Sequence, residues 1–253
     1  MSSESFLVFD VSGEYGHFRK FNTTTSPLTY GIPTPTAVIG ILGAVLGIER
    51  ENDKGEVSSG QESLRESFSA DRTSLAIRVL NPVNKVNVGF NLLATKSPQT
   101  FFNVVNRTQI EYELLKNPGY RIYLRWDHPR RKELMDRLRK KNFHFTPYLG
   151  ISQFTADVIW QGERKGEGIQ QAGFIPFHSA VNLTRLREAS NPIDISRINA
   201  LSIQVETLPL AMQSNRIIER YGEVLVETEG QAVPTLANDQ SYALEGEGNI
   251  QLL

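Results

Sequence analysis

The stretch TYGIPTPTAVIGILGAVLG, residues 29–47, passes from a proline-punctuated lead into the most apolar run of the chain, Ala37 to Ile48. Thr34-Pro35-Thr36 offers a hydroxyl able to cap a helix and a proline where the first turn needs no N–H, so a helix is expected to open there. Gly40, Gly43 and Gly47 stand three and four residues apart. That spacing predicts one shared helix face that lets another backbone come close. Each glycine costs ~1 kcal/mol of helix propensity, so a packing reason is expected. The apolar run is far shorter than the ~20 residues needed to cross a bilayer.

Upstream, Ser5 to Val11 is β-rich and ends at Ser12-Gly13, a good first strand. Downstream, Glu49 to Asp71 is polar and charged, a loop or insertion. Ser74 to Leu80 and Val86 to Leu93 read as strands interrupted by Asn81-Pro82; Gln109 to Leu115 and Tyr120 to Trp126 read as two more, with a turn at Asn117-Pro118-Gly119. Pro129 to Lys141 carries Leu134, Met135 and Leu138 on one side and seven basic residues around the rest, an amphipathic helix capped by Asp127 or His128. A strand over Phe154 to Trp160 would complete a βαββαβ order. The expected fold class is therefore α+β, with a ferredoxin-like domain over residues 1–161, the arrangement that also underlies RNA-recognition modules. Beyond it, glycines 162, 166, 168 and 173 mark a loop. Strand-like pieces at Ala200 to Thr207 and Glu223 to Thr228 suggest a small β-rich second domain over 162–253, with a polar, mobile tail after Gly230.

Composition narrows the chemistry. The 253 residues contain no cysteine, which excludes thiol catalysis, cysteine-ligated metals and disulfides and suits a reducing cytoplasm. The opening MSSESFLVFD has no basic leader, so no secretory signal is read, and glycosylation patterns at Asn22, Asn106 and Asn182 are taken as chance. Net charge is −1, but residues 1–150 hold 20 Lys+Arg against 15 Asp+Glu, and residues 151–253 hold 7 against 13. A polyanion should prefer the first part and a basic partner the second. GxxxxGK[ST], a complete GxGxxG, HExxH and GxSxG are all missing, and His17, His128, His144 and His178 lack paired-ligand spacing. No cofactor or metal is expected.

The sharpest local signal is Gly16-His17-Phe18-Arg19-Lys20-Phe21, where rings alternate with cations. Such a cluster grips phosphates while a ring stacks on a base, or it is a cationic loop whose Phe18 and Phe21 enter the core. Thr34 to Ala37 likewise presents N–H groups and hydroxyls to an anion, or only caps its own helix. The basic helix from Pro129 reads as a solvated face or as a binding face.

Together, GHFRK and TYGIPTPTAVIGILGAVLG closely resemble the signature of the fifth CRISPR-associated (Cas) protein family, a subunit of type I Cascade surveillance complexes. Pro147 to Phe154 and the region from Leu208-Pro209 to Tyr221 are also similar to family patterns, and the details look closest to the I-B branch. The resemblance implies an RNA-recognition-like domain with a long β-hairpin thumb, here within Arg78 to Asn106. It also implies a partner set: the 5′ handle of the guide RNA, the Cascade backbone subunits, the large subunit and nearby target DNA. Carried over by position, it puts His17, Arg19, Lys20 and Tyr30 around the handle, Thr34 and Thr36 at the helix start, and Arg78, Lys85, Lys96 and Arg107 in or beside the hairpin. One branch, in type I-C systems, cuts precursor RNA with a tyrosine near the end of the first helix and a Lys-His pair before the second. Here Leu46 stands at the tyrosine position and Arg130-Arg131 near the pair, so no catalysis is expected. The alternative is a metal-independent endoribonuclease with His17 as acid/base, and a further alternative is a protein-interaction module without RNA.

Overall fold

A computed structural model describes residues 3–20, 26–93, 107–187, 189–198 and 202–253. Strand β1 (Ser3–Ser12) leads through the short β2 (Tyr15–Gly16) to helix α1 (Pro35–Leu46) and the one-turn α2 (Leu64–Ser67). Strands β3 (Thr73–Val79), β4 (Lys85–Leu93), β5 (Arg107–Lys116) and β6 (Gly119–Trp126) follow, then helix α3 (Arg131–Lys140) and β7 (Asp157–Gly168). The last third adds β8 (Phe174–Phe177), β9 (Val181–Asn182), β10 (Ile203–Met212), β11 (Ile218–Glu227), β12 (Val233–Leu236), β13 (Ser241–Leu244) and β14 (Gly248–Gln251). The protein is mixed α+β, mostly sheet.

Strands β7, β1, β6 and β3 are neighbours in that order, each antiparallel to the next, and α1 and α3 make the crossovers. Alternation along β1 divides the core. Leu7, Phe9 and Val11 pack with Leu42 and Val45 of α1 and Leu134 and Leu138 of α3, whereas Phe6 and Val8 pack with Tyr242, Leu244, Ile250 and Leu252 on the other face. Each such fully buried side chain contributes about 2 kcal/mol.

Several expectations change. The strand placed at Phe154 to Trp160 starts at Asp157 and runs through Gly162, Gly166 and Gly168, three of the four glycines expected to mark a loop, crossing the 161/162 boundary. Gly162, at φ 123°, sits opposite a register shift between Val8 and Phe9, so the glycine absorbs a bulge and pairing continues. The tail after Gly230 forms β12, β13 and β14, and the last four strands of the larger sheet extend the same eight-stranded surface as β1. Its scattered apolar residues, too sparse to read as a core segment, become buried because they land on the second face of β1 and β6.

The three helix glycines do different work. Gly43 receives the Leu64 side chain, Gly47 ends α1 in the left-handed region, and Gly40 meets nothing within 4 Å. At α3, Arg130 is the N-cap without a side-chain bond; His128 instead accepts the Arg130 N–H at Nδ1, 3.1 Å. No helix among the described residues is long and apolar enough to cross a membrane.

Candidate nucleic-acid interface at the hairpin base

β4 and β5 pair from Lys85 opposite Leu115 out to Leu93 opposite Arg107, forming a hairpin whose outer half is largely exposed. Its only strand partner among the described residues is β2, through Tyr15 and Gly16 against Lys116 and Leu115. The chain then turns past His17, and residues 18–20 lie antiparallel to 28–30: Tyr30 N–H donates to Phe18 O and Lys20 N–H to Leu28 O, both at 2.8 Å. GHFRK and the lead into α1 are thus brought side by side against the hairpin base.

Four predicted residues meet there. His17 is 2% exposed, and its Nδ1 donates to the Glu113 carbonyl at 2.9 Å, leaving Nε2 buried without a hydrogen-bond partner among the described residues. Burial holds its pKa below the usual histidine value. The imidazole lies 5.3 Å from the Tyr112 ring, which itself meets Phe90 at 5.0 Å, so three rings step out along the hairpin. Lys20 pairs with Glu206 at 3.0 Å and rests 5.5 Å over the Tyr30 ring. Lys85 donates to Thr29 O at 2.8 Å and pairs with Glu113 at 3.4 Å and Glu206 at 3.7 Å. Glu206 also accepts from Gly31 N–H at 2.9 Å, and Tyr120 donates its hydroxyl to Gly31 O at 2.8 Å.

Two lysines are therefore matched by two carboxylates, one of them buried, and the cluster locks residues 29–31 to both the hairpin and β10. A buried carboxylate is tolerated only with such pairing. Phe18 is in the core, as one reading of the GHFRKF motif had it, while Phe21 lies outside the described residues. Arg19 remains exposed.

The remaining candidates are distributed. Thr34 caps α1, its hydroxyl accepting from Ala37 N–H at 3.2 Å and lying 2.9 Å from the Thr36 hydroxyl. Arg107 is exposed at the outer end of β5, about 20 Å from Glu113 at strand rise. Lys96 lies outside the described residues. Arg78 is not part of the cluster: it lies on the second sheet face with Arg121, its Nη1 bonding Glu247 O at 3.4 Å. Sequence reading missed Glu113 and Glu206. Glu113 alternates with apolar residues along a strand, as any solvent-facing residue does, and nothing near Glu206 singles it out.

Leu46 and Arg130, 84 residues apart, are adjacent: Arg130 Nη2 donates to Leu46 O at 2.9 Å and the guanidinium pairs with Glu133 at 2.8 Å. Arg131 pairs with Glu163 at 2.7 Å.

An antiparallel sheet backed by two crossover helices, with a projecting hairpin braced by an ion cluster, defines a class of protein in which a rigid body carries a protruding arm. The family model described as CRISPR-associated protein (Cas_Cas5) matches residues 6–186, and the chain belongs to that family. Among solved structures, a crystal structure of a CRISPR protein from Archaeoglobus fulgidus is similar in fold, with 14% identity, 98% of each chain covered and a TM-score of 0.53. A chain of a CRISPR RNA-guided surveillance complex is also similar, at 14% identity over 90% of this chain and 91% of that one, TM-score 0.51. No curated protein sequence matches the chain.

Proposed function

We propose that this protein is a non-catalytic subunit of a CRISPR effector complex that holds the 5′ handle of the guide RNA at the hairpin base and caps one end of the Cascade backbone. Within the family, the resemblance looks closest to the I-B branch. The observation that carries this reading is the convergence of His17, Lys20, Tyr30 and Lys85, from three separate segments, at the foot of the projecting hairpin. The βαββαβ order with strands arranged β7-β1-β6-β3 supports an RNA-recognition-like, ferredoxin-like reading of the first part. Family membership and the fold of the surveillance-complex chain support the setting.

Within the site, roles divide by exposure. Lys20 and Lys85 are engaged with Glu206 and Glu113, so they shape the loop. Arg19 at the hairpin base and Arg107 at the outer end of β5 lie at the surface, where phosphates along the arm would reach them, and the rings of Tyr112 and Phe90 offer stacking surfaces. The position that carries a tyrosine in the cutting branch holds a buried leucine, and the neighbouring arginines are tied to carboxylates. That supports binding without proton transfer.

Coexpression with the neighbouring subunits and a guide tests this. Arg19→Ala with Arg107→Ala should lower recovered guide RNA several-fold; unchanged RNA content would remove these residues from the site. In parallel, repeat RNA incubated with the chain in chelator should stay intact. A discrete cut lost in His17→Ala would establish the endoribonuclease reading instead.

A further inference from the structure

The basic surplus of the first 150 residues is five, and residues 129–141 alone contain seven Lys+Arg against two Asp+Glu, the same surplus. The remainder of that part is therefore electrically balanced. In the folded protein the balance is visible at the hairpin base, where lysines are matched by glutamates. The net surplus lies on and beside α3. Arg130 and Arg137 share Glu133, Arg131 takes Glu163 and Lys141 takes Asp157. Lys132, Arg139 and Lys140 are exposed, with no carboxylate within 4.0 Å among the described residues.

Burial of Leu134 and Leu138 fixes which side of α3 faces out. That side borders an open groove lined by Lys132, Glu133, Asp136, Arg137, Lys140 and Asn142. Arg139 and Lys140 complement the negative end of the helix dipole, but Lys132 stands in the first turn, at the positive end, where the helix itself disfavours a cation. An external anion is the partner that placement lacks. Lys132 and Lys140 are two turns apart, about 12 Å along the axis, close to the ~12 Å width of a duplex major groove. No aromatic ring lines this groove, so it lacks the stacking platform that single strands use.

We propose that the outer face of α3 docks the phosphate backbone of double-stranded nucleic acid, independently of base sequence and apart from the hairpin base. Lys132, Arg139 and Lys140 make the phosphate contacts, and Asp136 between them opposes binding by like charge.

The test uses the full chain and a labelled random-sequence DNA duplex of about 20 base pairs, followed by fluorescence anisotropy between about 50 and 200 mM salt. The combined Lys132→Ala, Arg139→Ala and Lys140→Ala variant should bind about tenfold more weakly at low salt. Its log affinity should fall with log salt by roughly 2–3 less than the wild type, since each lost phosphate contact removes about 0.9 from the slope. Asp136→Asn should tighten binding by about twofold, a gain that a misfolded variant would not give. Guide RNA content of the coexpressed triple variant should be unchanged, which separates this surface from the hairpin site. An unaltered slope in the triple variant overturns the proposal. So does polyglutamate competing as well as duplex, which would mark an acidic protein as the partner, or a single-stranded RNA binding more tightly through the same three residues.

Discussion

The hairpin base and the outer face of α3 both gather basic side chains, yet they differ in where the compensating charge resides. At the hairpin base, Glu206 arrives from β10, more than a hundred residues beyond the lysines it binds, and Glu113 from the hairpin itself. On α3 Glu133 is already shared by Arg130 and Arg137, Asp136 has no cation within 4.0 Å among the described residues, and three cations project outward. A count of lysines and arginines treats these places alike. Their capacity to attract a polyanion is set by what already neutralises them, because a charge paired at 3 Å leaves little field beyond a Debye length of ~10 Å.

Removing the internal carboxylate is the strongest way to break this contrast. Glu206→Ala leaves Lys20, Lys85 and the Gly31 N–H without their shared acceptor and should cost about 2 kcal/mol of stability, read from the urea midpoint. It should also bring the hairpin base closer to α3 in character, with Lys85 left to Glu113, less negative charge beside Lys20 and a steeper salt dependence of RNA binding. A midpoint unchanged from the wild type would mean the cluster does not hold the loop.

A smaller effect comes from His17. Its folded pKa lies below the ordinary 6.5 because burial penalises the imidazolium. The unfolded chain then takes up the proton first, so His17 contributes stability that is fully present above pH 6.5 and is lost as pH falls through the folded value. Unfolding measured across that window should show a decline that His17→Gln flattens; an identical decline in the variant would assign it to other groups.

The smallest expected change is on α3. Arg130 and Arg137 hold the Glu133 carboxyl down at about 2, from 4.5. Glu133 therefore supports the fold above pH 4.5 and releases that support as pH falls towards 2. Because the group is largely solvated, Glu133→Gln should alter acid unfolding only slightly, while freeing two arginines and strengthening duplex binding. Duplex affinity unaffected by that substitution would show that pairing does not limit this surface.

Local patterns were legible where local physics decides. Thr34-Pro35-Thr36 opens α1 as read, since a cap and a proline act on their own first turn. The β-rich run Ser5 to Val11 announced β1, and the signature around Thr29 to Gly47 pointed to the family that the chain belongs to. Less visible was the strand through Gly162, Gly166 and Gly168. Glycine weakens an isolated strand, and only the bulge opposite Val8 and the close approach of the Phe6 ring to Gly166 make it suitable there. The site was half visible: His17, Lys20, Tyr30 and Lys85 carry recognisable chemistry, whereas Glu206 is an ordinary strand glutamate until β10 folds against residues 29–31.

Sequence alone determined the mixed α+β character, the first helix and its cap, the absence of thiol chemistry and the excess of positive charge before residue 150. Tertiary structure decided that the last strands extend the first sheet, that Arg78 lies on its opposite face, and which cations are already neutralised. The reason is range: caps and alternation act within a few residues, while charge pairing and burial depend on which distant segments the fold brings within 4 Å.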